Sequence, residues 1–293
     1  MIDLSTTGVW SNTDAMSASE AAEFAGRVES LGYSTLWIPE STGRDPFAHF
    51  AHLANHTTSL GFATGIANIH HRHPGVMKQA AMTLAEQTSD RFLLGLGVSH
   101  APLVEGLRQL DYTKPIATMR AYLDAMHAAP TSLPPGGERF QTVLAALGPK
   151  MLALAAERTD GAHPYLTTPE HTAQAREILG PDKLLLVEQK VFLGSDPDEA
   201  RRSAATAVEL YTTLPNYVNN WLRLGFTQTE IDDRAERFLD AMVVWGDEDH
   251  IRAGVEAHYA AGATHVCVQP IHTGGRGGKP DWRVLEALAP VNA

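Results

Sequence analysis

The chain holds one cysteine in 293 residues. That excludes an internal disulfide framework and a cysteine-ligated zinc site. Cys267 lies in an apolar run and reads as a buried small hydrophobe. Long apolar runs are missing too, none approaching bilayer-spanning length, so no membrane partner is expected. An excess of basic residues is also missing. The formal net charge of −11 argues against nucleic acid as a partner and means that any phosphate site must be built locally. Met1–Trp10 has neither the basic start nor the apolar core of a secretory signal, so a cytoplasmic location is the expectation. No HExxH motif and no low-complexity tract occur.

What remains is an ordinary globular composition, 44% hydrophobic and 19% charged, in a chain long enough for two domains or one barrel. Its pattern alternates. Ser17 and Glu20 form a capping box before a helix at the spacing of Ala21, Phe24, Ala25, Val28 and Leu31. Asp45-Pro46 and Ser195-Asp196-Pro197 are further helix starts. Eight strands are predicted, over 3–10, 34–40, 60–68, 92–99, 142–148, 161–166, 183–193 and 265–271, with the seventh read as a long apolar strand. Helices are expected between them, and Thr131–Gly137 reads as a Pro/Gly loop. Alternating β and α implies parallel strands with helices outside. A doubly wound sheet competes, but eight units of this size suit a closed (β/α)8 TIM barrel in the α/β class. Residues 196–240 hold too many polar helical turns for one crossover and read as an inserted helical segment within a single domain, 1–293.

In such a barrel the chemistry lies at the carboxyl ends of the strands. The candidates there are Glu40-Ser41, the run Ile69-His70-His71-Arg72-His73, Gly97-Val98-Ser99-His100, Ala146-Leu147-Gly148-Pro149-Lys150 directly before a helix, and Gln269-Pro270-Ile271-His272 at the end of the eighth strand. Glu40 reads either as a solvated loop carboxylate or as an acid of the site. At most two of the neighbouring imidazoles can converge from an extended strand, so no metal is expected; His70 stands instead as a catalytic candidate. Gly97-Val98-Ser99 and Gly148-Pro149-Lys150 read singly as turns. Together they offer amides, a hydroxyl, a helix N-terminus and a cation, which suits a phosphate. The loop Thr273–Lys279, mostly glycine, lacks P-loop order and reads as a lid or a solvent loop, with Arg276 at the surface or reaching a substrate. In 196–240, Tyr211, Tyr217, Trp221, Leu222, Leu224 and Phe226 would cap the pocket, form a dimer face or simply be helix core.

The chain resembles the bacterial luciferase-like superfamily, in its branch of coenzyme F420-dependent oxidoreductases. The resemblance covers nearly the whole chain. It rests on the order and spacing of Leu31–Trp37, Thr64–Asn68 with Arg72-His73-Pro74, Phe92–Gly97, Ala146–Lys150 with Asp160-Gly161, and Ala261–Val266. It implies a cis peptide in the third strand, which falls at Gly65–Ile66, as a convex backstop for the deazaflavin ring. It also implies a phosphate and ribityl tail along Val98-Ser99 and Ala146-Leu147-Gly148. Cofactor contacts are thus expected from Gly65, Ile66, Asn68, Val98, Ser99, Ala146, Leu147, Gly148 and Lys150. The resemblance sets Glu40 beside the ring and His100 where sugar-phosphate-oxidising relatives carry a glutamate, either as a proton carrier or as lining. Ser41 stands where those relatives have a histidine, and Thr168 and Asp240 fall near their substrate-binding cations. These departures argue against a sugar phosphate.

Three readings follow. The first is an F420-dependent oxidoreductase moving a hydride to or from a small organic molecule. The second is an FMN-dependent monooxygenase of the same superfamily. The third is a barrel that binds a ligand or cofactor without catalysis. The resemblance also implies a homodimer.

Overall fold

The structure is a computed structural model that describes residues 1–133, 139–271 and 281–290. Its strands are β1 (Gly8–Trp10), β2 (Thr35–Ile38), β3 (Gly61–Thr64), β4 (Ala67–Asn68), β5 (Phe92–Gly97), β6 (Gln141–Leu144), β7 (Gly161–Ala162), β8 (Leu184–Leu193), β9 (Val243–Gly246) and β10 (His265–Pro270). Every pairing is parallel. The ring runs β1-β2-β3-β5-β6-β7-β8-β10 and closes where β10 pairs with β1. β4 continues the third strand beyond a bulge and pairs with β5. The chain is therefore a closed eight-stranded (β/α)8 barrel.

The helices are α1 (Ala18–Ser30), α2 (Pro46–Ala54), α3 (Pro74–Gln87), α4 (Pro115–Ala128), α5 (Pro149–Arg158), α6 (Pro169–Leu179), α7 (Pro197–Val208), α8 (Pro215–Arg223), α9 (Gln228–Asp232), α10 (Glu236–Met242), α11 (Glu248–Ala260) and α12 (Trp282–Ala287). Seven of them open on proline, whose fixed φ and missing N–H suit the first helical position. The capping box at α1 forms as expected: Glu20 N donates to Ser17 Oγ at 3.2 Å, and Ser17 N to Glu20 Oε2 at 2.8 Å.

Three apolar clusters result. Trp10, Trp37, Ala63, Leu93, Val143, Leu186 and Cys267 come from seven strands and meet inside the ring. A second cluster lies between ring and helices, with Phe24, Phe50, Phe62, Phe92 and Met119 among its members. The third, around Trp221 and Phe238, belongs to α7, α8 and α10.

Several expected strands shorten. The first begins at Gly8 rather than at residue 3, and the fifth and sixth end at Leu144 and Ala162. Beyond those points the chain leaves the sheet to line the barrel mouth. One strand escaped the sequence: β9, a short run hidden between helices, pairs with the end of β8 (Lys190↔Val243) on the edge opposite β10. The glycine-rich loop with Arg276, and most of the Thr131–Gly137 loop, lie outside the described residues. Among the described residues no helix is long and apolar enough to cross a membrane.

Candidate active site

The strand ends enclose a cavity of about 920 Å³. One wall is the interruption between β3 and β4, where the Gly65–Ile66 peptide is cis, as the resemblance implies. Gly65 N donates to Ile38 O (2.9 Å), and Glu40 N donates to Ile66 O (3.1 Å). From inside the ring, Trp10 Nε1 donates to Gly65 O (3.2 Å). The bulge presses across β5, which explains the two glycines of that strand. A Cβ on Gly95 would lie 2.0 Å from Thr64 O, and one on Gly97 2.5 Å from Ile66 Cδ1.

Glu40 borders the cavity, but its carboxylate is heavily engaged. Arg72 Nη1 donates to both oxygens (2.6 and 2.8 Å), Asn68 N to Oε2 (2.9 Å), and His71 Nδ1 lies 3.2 Å from Oε1. Arg72 also reaches Asp45, the cap of α2, and these carboxylates raise the guanidinium's proton affinity against the opposing effect of burial. Glu40 thus ties β2, β4 and α2 together. The histidine run disperses into separate tasks. His71 bridges Glu40 and Asn68, while His73 accepts from Gly75 N at the start of α3. His70 lies tilted against Tyr112, 5.9 Å between centroids, and does not line the cavity. Asn68, wholly buried, is likewise a brace behind the bulge and not a wall residue. Among the described residues no group of three His, Cys, Asp or Glu could hold a metal ion.

The opposite wall joins Val98, Ser99, His100, Ala146, Leu147, Gly148 and Lys150, as the sequence suggested. Ser99 adopts φ 57°, which turns the chain out of β5, and its carbonyl accepts from Tyr112 Oη at 2.9 Å. Leu147 O accepts from His171 Nε2 (2.8 Å), fixing the segment before α5. Gly148 caps α5 with no side-chain acceptor, leaving the first-turn amides without a side-chain cap. The sequence reading missed Arg223, at the end of α8. Its Nη2 would lie 3.4 Å from a Cβ on Gly148, and it has no carboxylate partner among the described residues. His100 Nδ1 is buried without a hydrogen-bond partner, and burial pulls the imidazole's pKa down against the opposing effect of a hydrogen bond with Asn216.

The inner end of the cavity was missed too, apart from Gln269. Glu188-Gln189-Lys190 interrupt the apolar run of β8, and all three are buried. Residues 188 and 190 share the inward face by the two-residue period. Lys190 Nζ donates to Glu188 Oε1 (3.0 Å) and Gln269 Oε1 (2.9 Å), and sits 3.9 Å from the Tyr165 ring centre. Tyr165 Oη donates to the same Gln269 Oε1 (2.9 Å), and Tyr211 Oη to Tyr165 Oη (3.1 Å). Burial pushes the Glu188 carboxyl up despite the lysine. His163 donates from Nδ1 to Leu186 O (2.8 Å) and stacks on Trp37. The aromatic stripe of the helical insert divides: Tyr211 and Tyr217 wall the cavity, while Trp221 and Phe226 are core. Neither Thr168 nor Asp240 lines the cavity, and Asp240 pairs with Arg201. Among the described residues, the cations at the cavity are instead Lys150, Lys190 and Arg223.

A family model described as luciferase-like monooxygenase matches residues 1–265. The chain is 26% identical to a Mycobacterium tuberculosis protein provisionally named a coenzyme F420-dependent oxidoreductase, over 84% of this chain and 89% of that protein. Two solved structures share the fold. The F420-dependent tetrahydromethanopterin reductase of Methanopyrus kandleri superposes with a TM-score of 0.74 at 16% identity, over 97% of both chains. The oxygenating constituent of 3,6-diketocamphane monooxygenase from Pseudomonas putida, in complex with FMN, gives 0.69 at 17% identity, over 97% of this chain and 96% of that one.

Proposed function

We propose an activity from one premise: the chain belongs to the luciferase-like monooxygenase family. Within it, the reading supported best is an F420-dependent oxidoreductase that moves a hydride between the deazaflavin and a small organic molecule. The observation that carries it is the pairing of two unlike walls in one cavity of about 920 Å³. The Gly65–Ile66 bulge offers a flat ring a firm backing. The wall of Ser99, Gly148, Lys150 and Arg223 offers an anionic tail backbone amides and cations. The likeness to the M. tuberculosis protein supports deazaflavin over flavin.

The bound cofactor supplies the hydride chemistry, and the protein supplies place and proton. Trp10, Ile38 and Glu40 hold the bulge from three sides, so the ring's position is set before substrate arrives. Glu40 acts through Arg72 and Asn68 as a positioning residue. His100, neutral and with Nδ1 unpartnered, is the group that takes up or returns the substrate's proton. Because burial lowers its pKa, the acid limb of the pH–rate profile should fall below about 6.5, the ordinary histidine value. His100→Gln should remove that limb.

The FMN-dependent monooxygenase reading is kept for one reason: the FMN complex from P. putida shares this barrel. Titrating the protein with F420 and with FMN, followed by fluorescence, separates the readings. Saturable F420 binding is expected. Tight FMN binding without F420 binding overturns the proposal, and binding of neither supports a non-catalytic barrel. A homodimer belongs to the same proposal, and a sedimentation mass of 31.7 kDa would overturn it.

A further inference from the structure

We propose that the side-chain amide of Gln269 is the substrate-selecting group, turned so that its NH2 takes the acceptor oxygen of an uncharged carbonyl compound. This rests on the hydride-transfer reading above. The argument begins with an ambiguity. An amide's oxygen and nitrogen are nearly the same size, so only the hydrogen-bond network can say which way it points. Here the network decides. Lysine has no acceptor, so the contact from Lys190 Nζ at 2.9 Å requires oxygen on the Gln269 side. Tyr165 Oη, already accepting from Tyr211, sends its own proton to the same atom at 2.9 Å. Two donors converge on Oε1, and turning the amide would set its NH2 against both. Nε2 therefore faces away from Lys190 and Tyr165. It has no hydrogen-bond partner among the described residues, and Gln269 is half-buried in the cavity wall.

Charge and shape define what this amide can receive. The Lys190 ammonium and the Glu188 carboxylate form an ion pair of no net charge, and Glu40 is matched by Arg72. Among the described residues, the inner end thus offers directed donors without net positive charge, which disfavours a carboxylate or phosphate head. The other cations that line the cavity among the described residues, Lys150 and Arg223, flank Gly148, three strands round the ring from β10. Four aromatic rings line the same cavity as the amide: Trp10 and Tyr165 stand 5.2 Å apart, Tyr211 and Tyr217 4.9 Å. A compact apolar body with one carbonyl oxygen meets all of these conditions. Lys190 and Tyr165 act as positioning residues for Gln269.

The test uses protein loaded with whichever of F420 or FMN it binds, and protein without either. The Gln269 side-chain amide is followed by nitrogen-15 NMR after selective glutamine labelling, its signal identified by its loss in Gln269→Leu. The probes are cyclohexanone and cyclohexanecarboxylate. Cyclohexanone should shift the Gln269 signal saturably, and the carboxylate should not. Gln269→Leu should weaken cyclohexanone binding about tenfold, the loss of one net hydrogen bond. Gln269→Glu, which keeps the shape and replaces the donors with acceptors, should weaken it at least as much. Lys190→Met should leave the amide free to turn and broaden or split its signal. An unmoved signal at saturating ketone, unchanged affinity in both Gln269 variants, absence of ketone binding or tighter carboxylate binding each overturns the proposal. Failure of the F420 reading would appear in the cofactor titration alone and leave the Gln269 result standing.

Discussion

At the residue scale, the site is organised by groups that brace its walls. Glu40 is nearly enclosed and receives Arg72, Asn68 N and His71 together. Removing one partner strands the others, so Glu40→Ala should cost about 3 kcal/mol in urea unfolding. Glu40→Gln should lower stability and cofactor affinity together; lost turnover with unchanged stability would instead make Glu40 a proton donor. The β5 glycines allow a sharper comparison. The Cβ of Gly97→Ala meets the movable tip of Ile66, whereas that of Gly95→Ala meets the backbone oxygen of Thr64. Gly97→Ala should cost about 1 kcal/mol and Gly95→Ala about 3, because only the side chain can yield. Equal losses would show that the bulge moves as freely as the Ile66 tip. The sequence showed two glycines in a strand but not their cause, since the neighbour that excludes a side chain lies some thirty residues away.

At the scale of elements, the helical insert contributes its own core and two walls of the cavity. Trp221 is fully buried in α8 and donates through Nε1 to Leu166 O at 3.3 Å. Trp221→Ala should cost about 4 kcal/mol and weaken F420 binding, because Tyr217 and Arg223 ride on the same helix. Lost stability with unchanged cofactor affinity would separate α8 from the site. Helix starts were legible because caps and prolines act locally. Ser17, Asp45 and Asp196 all cap as their neighbours required. Strand ends were less legible, since residues 145–148 and 163–166 leave the sheet without a break in their local pattern, and that pattern cannot register a lost partner. β8 was read as apolar, although Glu188, Gln189 and Lys190 stood in its centre. Three consecutive polar residues inside a barrel strand were the available sign of an internal polar cluster. Gln269 stood among the strand-end candidates, but its pairing with Lys190 and with Tyr165, in the segment after β7, could be found only in three dimensions.

At the scale of the molecule, the barrel's dependence on pH follows from where its histidines lie. There are 14, and an exposed one titrates alike in folded and unfolded chains, so it cancels. His49, His163, His258 and His265 are different, for burial pulls each down to about 4 from an ordinary value near 6.5. Each is held as a neutral ring in a polar contact: His49 to Thr13, His163 to Leu186 O, His258 between Thr172 and Gln189, His265 to Thr35. Between pH 6.5 and 4 the unfolded chain binds these four protons and the folded chain does not. Acid therefore favours unfolding, and the contribution present above pH 6.5 is lost as pH falls toward 4. With four protons the slope approaches about 5 kcal/mol per pH unit before levelling near pH 4, where the folded rings also protonate. Burial also lowers His70, His100 and His171, which add to the same loss. Carboxylates held below their ordinary values, such as Asp45 and Asp240, add to the loss only in more acidic solution. Urea unfolding at pH 7, 6 and 5 should thus show stability falling progressively faster, and His265→Gln should remove at most about a quarter of the slope. A flat response from pH 7 to 5 would mean that these rings find water or a proton acceptor in the folded barrel.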